Sequence, residues 1–149
     1  MNKYYLSLVF ILTFGQCSTE TKTIRYKSYD RDANKTAVYT LQIPKGYKLF
    51  TWTGDHVRQQ EYWYSDSSVI YLTNNLGSNA INESNIRQQE GAYAKRFQAF
   101  LSNDTITLSG VDSIGKYWKE VKLQKICLGY AGVENEKLEI FERALTLIQ

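Results

Sequence analysis

Side chains able to do acid–base, nucleophilic or metal chemistry are few in this chain: one histidine, His56, and two cysteines, Cys17 and Cys127, among 149 residues. A triad or a zinc site needs an imidazole or thiolates clustered with further groups, whereas His56 in Gly54-Asp55-His56 reads as part of a solvated turn. Asp55, Asp66, Asp104 and Asp112 fall at the ends of expected strands and loops, where Asx turns use them. Nothing in their spacing favours a carboxylate pair for glycoside hydrolysis. No catalytic residue, metal ligand or cofactor is assigned, and the chain reads as a non-enzyme. Aromatic side chains are abundant instead: 12 Tyr, 6 Phe and 3 Trp make up 14% of the chain. Trp118 alternates with Glu120 and Lys122, and Trp63 with Glu61, so both rings share strand faces with charges. A flat ring among polar groups offers large area with little rotamer entropy to lose. Trp118 and Trp63 are therefore the candidate binding residues for a glycan or protein; the plainer reading is half-buried rings in cross-strand pairs or under a helix.

The other chemistry concerns location. Lys3 is the only charge before Glu20, and Tyr4 to Phe14 is an apolar run of signal-peptide length. It is too short for a spanning helix, which needs about 20 apolar residues. Phe14-Gly15-Gln16-Cys17 resembles a bacterial lipobox of the looser kind found in small Bacteroidetes lipoproteins, with Phe14 in place of the usual Leu and Gln16 in place of Gly or Ala. The resemblance implies acylation (palmitate) of Cys17, removal of residues 1–16, a tether over 17–22 and one domain over 23–149. An ordinary signal cut near Gly15 is the alternative. Without Lys3 the charge is 17 basic against 15 acidic residues, +2, too balanced to imply nucleic acid.

The elements that must position these residues follow from periodicity. Alternation predicts strands over Ile24–Tyr29, Ala37–Ile43 and Tyr47–Thr53, then a hairpin of Gln60–Tyr64 and Val69–Thr73 around a polar turn. A helix is expected from about Asn85 to Leu101, with Ile86, Tyr93, Phe97 and Phe100 as its apolar stripe and a possible break at Gly91. Thr105–Leu108, Lys116–Leu123 and Lys125–Ala131 read as further strands. A final helix, about Glu134 to Ile148, carries Leu138, Phe141, Leu145 and Ile148 on one face. Cys127, Gly129 and Ala131 share a strand face whose small side chains would seat that helix, burying Cys127 as an unpaired thiol. The class expected is α+β, an antiparallel sheet with two helices packed on it.

Tyr39 to Tyr47, with its Pro44-Lys45-Gly46 turn, and Gly129-Tyr130 before an acidic-capped helix resemble the opening and ending of PsbP-like α/β/α sandwich proteins. That resemblance implies a fold used for docking, and it transfers no functional residue. Asp104-Thr105-Ile106 and Asp112-Ser113-Ile114 resemble the acceptor sites of envelope O-glycosylation in Bacteroidetes, which would put sugars on Thr105 and Ser113. The function expected is a non-enzymatic envelope lipoprotein, anchored to a bacterial membrane on its periplasmic or outer side, that binds an envelope protein or glycan. An immunity protein against an envelope-acting toxin and a small hydrolase are the alternatives.

Overall fold

The computed structural model describes residues 20–30, 34–54, 57–74, 81, 91, 94, 97–98, 101–102, 104–123 and 126–148. β1 (Thr21–Asp30) and β2 (Lys35–Pro44) form a long antiparallel hairpin, to which the two-residue β9 (Leu147–Ile148) adds along Thr40 and Leu41. The other strands are β3 (Lys48–Thr53), β4 (Arg58–Trp63), β5 (Val69–Thr73), β6 (Ile106–Val111), β7 (Tyr117–Leu123) and β8 (Ile126–Val133). They make one antiparallel sheet in the order β3-β4-β5-β8-β7-β6. A 3-10 turn, Asn135–Lys137, leads into the seven-residue helix α1 (Leu138–Ala144).

Alternation in the sequence becomes packing. Ile24, Tyr26, Tyr39, Leu41 and Ile43 of the hairpin meet Tyr62, Ile70, Leu72, Ile126, Leu128 and Tyr130 of the large sheet in one core. Phe141 and Ala144 of α1 complete it, with the Phe141 ring edge-on to Tyr64 and Tyr130 at 5.3 and 5.9 Å. Two further bonds tie the layers: the Tyr26 hydroxyl donates to the Arg58 carbonyl at 2.7 Å and the Tyr64 hydroxyl to the Pro44 carbonyl at 2.9 Å. Burial pushes the Tyr26 and Tyr64 hydroxyls well above the usual phenol range, so both stay protonated donors at neutral pH.

The expected fold class needs correction. Among the described residues the protein is mostly β, two antiparallel sheets with one short helix described from end to end, rather than a sheet carrying two packed helices or an α/β/α sandwich. The layer assigned to helices is the β1–β2 hairpin, long enough to cover the sheet by itself. The final helix also stops early. Leu145 and Thr146 form a turn closed by bonds to Glu142 and Arg143, and the chain then offers its backbone to β2. Most of the helix expected over 85–101 lies outside the described residues. Ala94, Phe97, Gln98 and Leu101 are helical, Gly91 sits in a turn at φ 73°, and Phe97, expected on the buried stripe, is exposed.

Candidate functional site

The large sheet has a second face, turned away from the hairpin, and its registers align side chains in rows. One row reads Phe50, Glu61, Tyr71, Gly129, Glu120, Leu108; the next reads Trp52, Gln59, Thr73, Cys127, Lys122, Ile106. Both candidate tryptophans lie on this face, as do the charges they alternate with. Most of it is covered, however. Trp118 is only 2% exposed, packed with Val69, Tyr71, Ile81, Leu108 and Ala131. As folded, Trp118 is core and presents nothing to a partner.

Most polar groups buried on this face are engaged, as burial requires; the Trp118 indole N–H is the exception, with no hydrogen-bond partner among the described residues. The Tyr71 hydroxyl donates to Glu120 Oε2 at 2.8 Å, and Lys122 Nζ donates to the carbonyls of Ser102 and Asp104 at 2.9 and 3.2 Å. Gly129 lies between Tyr71 and Glu120 in register. A Cβ there would stand 2.2 Å from the Lys119 carbonyl oxygen and 2.5 Å from the Tyr71 hydroxyl, so only glycine lets the phenol cross β8. Gly129 and Ala131 therefore accommodate Tyr71 and Trp118, and the face they share with Cys127 does not seat the final helix. That helix packs on the opposite face, against Tyr130. Cys127 is buried and forms no disulfide among the described residues.

The same rows reach solvent at β3, the outer strand of the sheet. Trp52 is 62% exposed, Phe50 and Leu49 are about half exposed, and every residue of β3 is accessible. Trp52 and Phe50 stand on the Trp63 face and Leu49 on the other. On β4 alongside, Trp63 is half-buried and donates its indole N–H to Glu61 Oε2 at 2.8 Å, while the Gln59 amide donates to Glu61 Oε1. Glu61 thus fixes the Trp63 ring beside Phe50, which faces Glu61 across the strand pair. Trp52 is the exposed tryptophan that the alternation argument did not single out. Its signal was Leu49, Phe50 and Trp52 within four positions, which put apolar groups on both faces of one strand.

A cleft of about 310 Å³ opens between the Pro44–Gly46 turn, the β4–β5 turn and α1, lined by Tyr64, Asp66, Lys137 and Phe141 among others. Partial burial works against the Asp66 charge, but hydrogen bonds from Lys137 and Ser68 outweigh it and hold the carboxyl down at about 2. Glu142 is likewise partly desolvated yet held below its usual range by Lys119 and Tyr130, which pins α1 to the sheet. Asp112 makes the expected turn, its Oδ1 accepting from the Ile114 and Lys116 amides at 3.0 and 2.9 Å. Thr105 and Ser113 are both exposed. Cys17, Asp55 and His56 lie outside the described residues, and no described group of three or more His, Cys, Asp or Glu could hold a metal. No known protein family, curated protein or solved structure matches the chain.

Proposed function

We propose that this chain is a lipid-anchored envelope protein, acylated at Cys17 and working at the periplasmic or outer side of a bacterial membrane, that binds a protein partner along β3 without turning over a substrate. The anchor is supported by the apolar run Tyr4–Phe14 followed by Cys17, and by a domain whose first strand begins at Thr21, directly after a short polar spacer.

The observation that carries the binding is the state of β3. Sheet edges left open are usually blunted by charge, proline or a bulge, because unpaired strand backbones recruit other chains. β3 holds one charge, Lys48, no proline, and an unbroken six-residue register with β4. It exposes Leu49 on one face and Phe50 and Trp52 on the other. A glycan would use the aromatic face alone. A strand added to β3 would bond to its backbone and cover both faces, the mode of strand-addition domains. Glu61 and Gln59, the nearest groups with chemical potential, serve to orient Trp63.

A photo-crosslinking side chain placed at position 52 in the native envelope should trap one discrete protein adduct. The same group at Tyr29, an equally exposed aromatic on β1, should not. Equal labelling at both positions, or none at 52, would remove the β3 reading.

A further inference from the structure

We infer that the end of the domain carrying the Pro44–Gly46, β4–β5 and β6–β7 turns rests on the lipid surface to which Cys17 is tethered, with the β6–β7 turn as its apolar foot. The inference rests on the reading that Cys17 is acylated, and adds to it an orientation and a second membrane contact.

Tether length comes first. Glu20 is held at the Pro44–Gly46 turn twice: its carbonyl accepts from the Lys45 amide at 2.9 Å, and its carboxylate pairs with Lys45 Nζ at 2.8 Å. At about 3.3–3.6 Å per residue, the chain from Cys17 to Glu20 spans roughly 10 Å at most. Whatever holds Cys17 therefore lies close to Lys45.

The same end collects other turns through named contacts. Lys45 and Gly46 line the cleft with Asp66 and Lys137, which form an ion pair. Lys116 reaches the Asp66 carbonyl at 3.5 Å and Glu134 at 3.8 Å, and Lys116 closes the β6–β7 turn on Asp112. Strand pairing puts Thr53, Arg58, Thr73, Ile106 and Leu123 at the opposite end, five or six residues away at about 3.4 Å each, or roughly 20 Å. That exceeds the tether's reach.

Three ion pairs at the anchor end, Lys45 with Glu20, Lys137 with Asp66 and Lys116 with Glu134, match most of its charge, so attraction to anionic headgroups is not the main driving force. Apolar groups are. Ile114 is 75% exposed at the tip of the turn and Val111 is half exposed beside it. The Asp112 bonds and Gly115 at φ 82° preform the tip. A rigid aliphatic tip at the tethered end of the sheet suits the headgroup–acyl boundary, into which exposed apolar groups insert shallowly.

The test uses full-length protein purified from its own membrane with its anchor, reconstituted in phosphatidylcholine vesicles, carrying a thiol-linked fluorophore at I114C or, separately, at T53C. Buried Cys127 stays unlabelled in the folded protein. Bromine-bearing lipids should quench the 114 label at least about twofold more than the 53 label, with little dependence on salt. Equal quenching in protein that floats with the vesicles would overturn the orientation while leaving the anchor intact. A label at 114 that is shielded in native membranes but wet in pure lipid would also overturn it, assigning the turn to a protein. Absence of an acyl chain by mass spectrometry, or failure to float, would remove the anchor reading and the inference together.

Discussion

Trp118 and Trp52 stand on the same face of one sheet, yet removing them should have opposite consequences. Trp118→Ala empties a filled core position and should destabilise the fold by about 3–5 kcal/mol, read as a lower denaturant midpoint. Trp52→Ala should leave stability nearly unchanged and weaken partner binding by about 2 kcal/mol, roughly 30-fold, if the ring is a hot spot. Gly129→Ala should cost about 1–3 kcal/mol or more, because the new methyl meets a backbone carbonyl as well as Tyr71, and the β7–β8 pairing must part. Thermal melts with near-ultraviolet circular dichroism check this. Alternation was enough to show that Trp118 travels with Glu120 and Lys122. It could not show that this face is covered, because cover depends on residues far away in the chain, Ile81 and Ser102 among them. The Cys127-Gly129-Ala131 run was legible as a close approach, but not as one made by Tyr71.

Strands were the legible elements. Strands β1 to β8 coincide with the expected runs to within a few residues, including the hairpin around Ser65–Ser68, because period-two burial is a local property. The final helix was only half legible: Leu138 and Phe141 pack as its stripe requires, while Leu147–Ile148 pairs with β2, a partner that local periodicity cannot reveal. For β3, apolar groups on both faces usually mean a strand buried on both sides, and here they mean one open on both sides. Leu49→Lys should therefore be tolerated by the fold and abolish strand addition, measured as loss of partner-induced amide protection in β3 by hydrogen exchange. The β4–β5 turn makes a second prediction at this scale. Asp66 is held at about 2, below its ordinary 3.8, so its link to Lys137 stabilises the fold above pH 3.8 and is lost as pH falls toward 2. Lys137 is shifted upward, so its share persists at neutral pH and fades only as pH rises through the lysine range. Asp66→Asn should flatten the acid limb of the stability–pH curve and leave the neutral plateau lower.

At the scale of the whole molecule, three features share one axis: the tether at Glu20, the apolar tip at Ile114, and β3, which starts at Lys48 beside the tether-bearing turn and runs away from it. A glycan on Ser113 would sit one residue from that tip and hold it off the lipid, so modification there and membrane contact exclude each other, whereas Thr105 at the far end is compatible with both. The mass of the native protein separates these cases. The direction of β3 has a further consequence for how copies meet. Antiparallel pairing of one β3 with another requires the two strands to point opposite ways. In the proposed orientation, copies standing in one leaflet would all point β3 outward from the bilayer, so none would offer its neighbour the inverted strand that antiparallel pairing demands. The leaflet would then act as a polarity filter, denying antiparallel self-pairing at the sticky edge and leaving it open to a chain arriving in the opposite sense.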